Sequence, residues 1–598
     1  MRSLFIFFTI LSSFTLTANE EAPPNIVHEC GVSFVHPLKP HHCYESEDWA
    51  LEKLIALMVR QKNRGRDGAG IGVMNEHGVT LCKQASRSSL TKVSDHARQN
   101  STLFRGKSYL GHVRYATYAG LCKEHCQPFE HPTLHFAIAG NFNMTNTSKL
   151  REQVANWGIT CQSDTDTEVI MQMIGHQIGQ EPKDVAQAFC NAAKEWDGGF
   201  FFVATFQDGS FLLCRDPAGI RPGYLYTSEE VIAATSEKSA LVEVFDLNES
   251  EVEEVTPGTI LFCSGDGKMQ KTKFAASQKP RSCLFERIYF SQPKGSEIYL
   301  ERKALGQVLA PKIYDAIDGD LENTVFTYVP NTSLLSFQGL TEALSTLAHQ
   351  KSVAQCIDSS KKKKELVQKL LQMSSPLVRQ EHLIKKRSDK RTFITAENER
   401  KELISKIYEV SHAVVKPTDT LVVVEDSIVR GNTLKVSLME KLFALKPKKI
   451  IIVSTSPPIC YPDCYGIDMS RLDHLIAFNA LIALLEERGQ QEQIDRLYHA
   501  SLEQLKKKQS VNVLQQLYAL VTFEELCQKI AQLITPESRS TTRCPVEVVY
   551  QTLEGLQEAI PGHTGDWYFG GHYPTPGGFE VVNQSFINWK EGAQQRAY

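Results

Sequence analysis

Two neighbouring carboxylates and a loop of small residues mark one place where this chain could do chemistry. The stretch LVVVEDSIVRGNTLK, from Leu421 to Lys435, puts Glu425 and Asp426 at the end of an apolar run and follows them with the loop Ser427 to Thr433. The run reads as a buried parallel strand, and α/β sheets bind ligands at the carboxyl ends of such strands. The amides and hydroxyls of the loop lead into a helix amino terminus, which can cradle a phosphate dianion. Carboxylates accept hydrogen bonds from vicinal ribose hydroxyls or hold Mg2+. Acids beside an anion cradle therefore suit a sugar phosphate.

The elements around this loop have a clear pattern. TLVVVED, a polar turn, TLKVSLMEKLFAL and KKIIIVSTS make a βαβ unit, which implies a parallel sheet with a right-handed crossover. Similar alternation runs from about residue 275 to 485. From 30 to 274 the text is instead short β-type runs (GVSFV, AGIGVM, FAIAGNF, GGFFFVATF) separated by Gly and Asn turns, with two helical stretches, an α+β layout rich in antiparallel sheet. A basic segment from Ser359 to Asp389 carries KKKK and IKKR and reads by itself as a solvated helix and loop. Residues 486–598 are first helical and then rich in Gly, Pro and aromatics, without a catalytic pattern, and read as a packing or oligomer-stabilising extension.

The 598 residues carry 65 basic and 69 acidic side chains, so no global field favours nucleic acid or an anionic membrane. Fifteen scattered cysteines without paired CxxC motifs signal neither a disulfide framework nor a zinc ribbon. Residues 1–29 contain LFIFFTILSSFTL, too short to span a bilayer. They read as a cleaved leader, as a segment packed on the body, or as text upstream of a later start.

The string ED-S-I-V-R-G-N-T resembles the 5-phosphoribosyl-1-pyrophosphate (PRPP) loop of phosphoribosyltransferases, and most closely that of the glutamine PRPP amidotransferase family. SPPICYPDCYGIDMS, LFERIYFSQP, YLERKALG and KRTFI also find counterparts there. The resemblance implies an α+β N-terminal-nucleophile glutaminase domain, an αββα sandwich over 30–274, followed by an α/β parallel-sheet phosphoribosyltransferase domain over 275–485. It implies that PRPP meets Glu425, Asp426, Ser427, Val429, Arg430, Gly431, Asn432 and Thr433, with Lys385 or Arg387 and Arg391 on a closing loop. Glu425 stands where the family has a first Asp. Asn331 stands where an acid is commoner, leaving Thr332 beside Glu425 and Asp426 as ligands of Mg2+.

In the other half, HECGVSF resembles the family's start at cysteine, so Cys30 is expected to become the first residue, with its own α-amino group as base. RGRDGAGIG brings Arg64, GHVRYAT brings Arg114 and TDTE brings Asp166. The resemblance has these residues bind glutamine, Arg114 at the α-carboxylate and Asp166 at the α-amino group. Where the family reads NGN, this chain reads AGN: Ala139 replaces the side-chain oxyanion donor, the Gly140 amide remains, and Asn141 or Asn143 is left to compensate.

The implied enzyme is a pentosyltransferase. It releases ammonia from glutamine at Cys30 and passes it to C1 of PRPP, displacing pyrophosphate to give 5-phosphoribosylamine in the first step of purine synthesis. Mg2+ is the expected cofactor. No iron–sulfur cluster is expected, because Asp463 occupies one cysteine position and a downstream cysteine pair is missing. Purine nucleotides are expected as feedback ligands, the assembly as a homo-oligomer and the compartment as the cytoplasm. The competing expectation is an impaired relative that senses PRPP or nucleotides, or uses free ammonia.

Overall fold

Short apolar strands broken by glycines need a second sheet to cover each face, and the first half of the chain supplies one. The computed structural model describes residues 30–598 except 116–121, 181–183, 266, 277, 360–366, 368–377, 387–407, 413, 432, 468, 508–509 and 540–543. Its strands begin with β1 (Gly31–Pro37), β2 (Gly68–Asn75), β3 (Gly78–Gln84), β4 (Ser108–Arg114), β5 (Phe129–Glu130), β6 (Ala137–Met144) and β7 (Gly198–Thr205). They continue with β8 (Phe211–Arg215), β9 (Tyr224–Thr227), β10 (Val231–Thr235), β11 (Glu253–Glu254), β12 (Thr259–Cys263) and β13 (Met269–Lys273). Two antiparallel sheets result, in the orders β11-β9-β10-β1-β4-β2-β3 and β13-β12-β8-β7-β6-β5.

Alternation along each strand divides the core. Val32, Phe34, Ala139, Phe201 and Leu213 fill the space between the sheets. On the outer face of the first sheet lies α1 (Trp49–Arg60), with Leu54 and Met58 packed beside Ile71 and Val113. On the outer face of the second lies α2 (Asp166–Gln180), with Ile170 and Ile174 beside Ile138 and Phe202. The order is helix, sheet, sheet, helix, as expected for 30–274.

The second half is built on a parallel sheet of β14 (Thr324–Tyr328), β17 (Thr420–Glu425), β18 (Lys449–Ser454) and β19 (Val546–Tyr550), hydrogen-bonded in that order. Between β14 and β17 in sequence, β15 (Ile384–Lys386) and β16 (Tyr408–Val410) form a separate antiparallel hairpin. Val422, Ile451 and Val549 face one side, against the helix Ser296–Ala316 and Phe337; Val423, Ile452 and Val548 face the other.

β19 corrects the reading of 486–598 as an appended extension. Val546 pairs with Ile450 and Tyr550 with Ser454, so this segment supplies a strand of the sheet itself. The helix Pro576–Lys590 also belongs to the large core, through Val581, Val582 and Phe586. No described helix is long and apolar enough to cross a membrane. All fifteen cysteines are free.

Candidate active site

The register of β1 decides where Cys30 stands. Gly31 lies opposite Val113 on β4, so Cys30, one residue earlier, comes level with Arg114, which closes β4 opposite Gly68. The Cys30 thiol points to the carbonyl of Tyr115 at 3.9 Å. Burial pushes this thiol up, while the Tyr115 contact and the Arg114 charge pull it down and Asp67 pushes it up again. A half-buried thiol held above its ordinary range is a weak nucleophile until a base removes its proton.

β6 runs alongside with its small residues. Ala139 faces the inter-sheet layer, and alternation gives Asn141 and Asn143 the same orientation. Asn143 donates to the carbonyl of Cys464 at 2.5 Å and is thereby spent on the other half of the molecule. Asn141 is buried, and its Nδ2 has no hydrogen-bond partner among the described residues. The Gly140 amide, expected to be an oxyanion donor, donates instead to Gln127 Oε1 at 2.6 Å, and Gln127 Nε2 donates to Thr167 at 2.8 Å. Gln127 had no visible chemistry in the sequence.

Asp166 opens α2 with its carboxylate fixed by the Met144 amide at 2.8 Å and the Thr147 hydroxyl at 2.7 Å. Burial raises its pKa, and those two hydrogen bonds oppose the shift. Arg64 is placed differently from expectation. Its guanidinium is buried in ion pairs with Glu237, at 2.9 Å, and with Glu286 of the segment that begins the second half. The geometry makes Arg64 part of the junction, because two buried carboxylates claim its donors.

In the second half, Glu425 ends β17 opposite Ser454 and Asp426 follows it. Burial pushes Glu425 well up and Asp426 to about 6, and the neighbouring Asp426 charge adds to the Glu425 shift. Glu425 Oε2 is buried without a hydrogen-bond partner among the described residues. Ser427 donates to Asp426 at 3.0 Å, and a hydrogen bond from Thr332 also favours the Asp426 carboxylate. Two adjacent acids, Asp426 buried and Glu425 half-buried with one orphaned oxygen, form a donor set suited to a divalent cation.

The loop after them turns back on itself. Val429 is buried, and its carbonyl accepts from the Ile476 amide at 2.8 Å. Gly431 has φ +70, and a Cβ there would lie 2.3 Å from Ile476. Arg430 is half-buried at the same turn, Asn432 lies outside the described residues, and Thr433 begins the π-helical turn Thr433–Met439. Lys385 lines an open cavity of about 450 Å3 with Tyr408, His412 and Lys441 beside the β15–β16 hairpin. Its neighbour Lys386 is the basic residue whose charge reaches Glu425. Arg387 and Arg391 lie outside the described residues.

Buried groups missed by motif reading join the two centres. Arg302 donates to the carbonyls of Arg287 and Ser291; burial lowers its pKa to about 10, against the opposing charges of Asp426, Glu237 and Glu286. Desolvation pushes the phenol of half-buried Tyr289 up, and the charges of Asp426 and Glu425, with a smaller contribution from Tyr115, push it further. Their signal lay inside LFERIYF and YLERKALG, but neither string says which side chain turns toward the acids.

Residues 72–264 match the glutamine amidotransferase domain family. The likeness extends to three dimensions: the glutamine PRPP amidotransferase of B. subtilis, complexed with ADP and GMP, superposes with a TM-score of 0.64 over 91% of this chain and 97% of its own at 24% identity. The class is thus an N-terminal-nucleophile glutaminase joined to a phosphoribosyltransferase fold. Amidophosphoribosyltransferases of Methanocaldococcus jannaschii and Pyrococcus horikoshii are 28% and 30% identical, over 78% and 72% of this chain and 92% and 85% of theirs. The chain belongs to the amidophosphoribosyltransferase family. It is accordingly an enzyme, a pentosyltransferase of the first step of purine biosynthesis.

Proposed function

We propose that Cys30, freed of residues 1–29, attacks the side-chain amide of glutamine, with its own α-amino group taking the thiol proton. An α-amino group has a pKa of roughly 7.7–8.0, low enough to serve as base near neutrality. Arg114 receives the α-carboxylate and Asp166 the α-amino group. The tetrahedral oxygen takes the Asn141 Nδ2 donor. Collapse expels ammonia and leaves a thioester at Cys30, which water hydrolyses to glutamate and the free thiol. Ammonia then forms a bond to C1 of PRPP as the C1–pyrophosphate bond breaks, giving 5-phosphoribosylamine.

Glu425 and Asp426 would hold Mg2+, with Thr332 adjacent; the ion supplies charge stabilisation for departing pyrophosphate. The loop 427–433, including Ser427, Val429, Arg430, Gly431, Asn432 and Thr433, receives the 5-phosphate, and Lys385 and Arg391 belong to the segment that closes over PRPP. Cys283 bonds to the Tyr568 hydroxyl at 2.7 Å, and Asp463 accepts from Trp567 Nε1 at 3.1 Å. That pairing supports a junction built without an iron–sulfur cluster. Purine nucleotides, homo-oligomeric assembly and a cytoplasmic setting complete the reading. We take 30–274 as the ammonia-producing unit and 275–485 with β19 as the ammonia-using one.

The observation that carries this reading is Cys30 beside Arg114 with an unpartnered Asn141 amide on the same inter-sheet face. The test is intact mass and amino-terminal sequence of the native protein, followed by labelling with a glutamine-like diazo ketone. A chain beginning at Cys30 and labelled once there is expected. One that retains earlier residues and takes no label would overturn the glutaminase step.

Ala139 and the engaged Gly140 amide favour one second reading, a chain that uses free ammonia. It requires pyrophosphate release from PRPP with ammonia and none with glutamine.

A further inference from the structure

The carboxyl end of β6 carries the glutamine pocket and is gripped by residues from more than 370 positions later in the chain. Asp197, just before β7, accepts from Thr145 through its backbone carbonyl, at 2.9 Å from the amide, and through its side chain from the Thr145 hydroxyl. The same carboxylate accepts from the Thr575 hydroxyl at 2.5 Å and from the Gly577 amide at 3.0 Å. Thr575 is the N-cap of the fifteen-residue helix Pro576–Lys590, so Asp197 sits where amides and helix dipole favour an anion.

The fit leaves no slack. A Cβ at Gly577 would lie 2.0 Å from Thr145 Oγ1 and 2.6 Å from Asp197 Oδ1. Thr145 follows Met144, whose amide holds Asp166, and two residues further on the Thr147 hydroxyl holds the other oxygen of that carboxylate. Tyr465, in the loop that also receives Asn143, completes the contact from the other half, its hydroxyl 2.9 Å from Thr575 Oγ1. The same late segment brings Arg596 near enough for its charge to favour the Asp166 carboxylate.

We propose that Thr575 and Gly577 are positioning residues of the glutamine site, setting residues 143–147 and through them Asp166 by way of Asp197. The segment acts through Asp197 and fixes the angle at which the α-amino acceptor is presented. This rests on the glutaminase reading above, and its signature is a KM effect confined to glutamine.

The experiment is steady-state kinetics of the full-length processed enzyme with glutamine and, separately, with ammonia, for wild type, Thr575→Val, Thr575→Ser and Gly577→Ala. Thr575→Val is expected to raise KM for glutamine about tenfold, with kcat changed less than threefold and ammonia-dependent synthesis unchanged. Thr575→Ser, which keeps the hydroxyl, is expected to restore the wild-type value. Gly577→Ala should reproduce the KM effect by pushing Thr145 and Asp197 apart. Wild-type KM in both Thr575→Val and Gly577→Ala, or a parallel fall of both activities, would overturn the proposal. A wild-type enzyme active with ammonia and inert with glutamine would instead sink the glutaminase reading.

Discussion

Asn141 shows how one side chain's lack of a partner can carry functional information. Asn143, an equal candidate in the sequence, is hydrogen-bonded to Cys464, and Gly140 is hydrogen-bonded to Gln127; the open donor is Asn141 Nδ2. Asn141→Ala should lower kcat with glutamine by roughly 10²–10³, the usual loss for one oxyanion donor, and leave the ammonia-dependent rate intact. Acid should act through Asp166. Its carboxyl must be charged to hold an ammonium group, and burial raises its pKa. KM for glutamine should therefore climb as pH falls, beginning above the range near 3.9 where an ordinary aspartate titrates. A pH series confined to the ordinary range would contradict that.

Cys30, Arg114, Asp166 and the Glu425–Asp426 pair could be singled out as candidates because each sits in a local string whose chemistry can be read without the fold. The place of Arg64 could not be read this way. Its partner Glu286 is 222 positions away, and no local string announces that pairing.

Among the elements, β17 and β18 could be read from apolar runs and the βαβ spacing. β19 could not, since VEVVY after a long helical stretch has no neighbour in sequence that marks it as part of a parallel sheet. Its burial makes it testable. Val549→Asp would place an unpaired charge beside Ile451 and Val422, at an expected cost of about 3–5 kcal/mol, read by chemical denaturation. A loss below about 1 kcal/mol, as for a surface substitution, would mean that the strand does not contribute to the core.

The molecule as a whole is joined through charge. Arg64, Glu237, Glu286, Arg302 and Asp426 form a buried series from the first half of the molecule to the acid pair at the end of β17. Removing one member leaves the others desolvated and unpaired, which costs more than the pair was worth. Arg64→Ala is therefore expected to lower stability and to depress glutamine- and ammonia-dependent synthesis together. A residue serving glutamine alone would lose only the first, so the two assays separate the roles.

The grip of Thr575 and Gly577 on Asp197 also has a meaning in time. The last strand of the glutaminase sandwich ends at Lys273, while Gly577 emerges 304 residues later, roughly 15–60 s at about 5–20 residues per second. During synthesis the amino-terminal half has all its strands but lacks the contact that sets its glutamine pocket. A nascent chain is thereby expected to be a poor glutaminase until the ammonia-using half exists to consume the product. Chains arrested on the ribosome before residue 575 should take the diazo ketone more slowly than released ones.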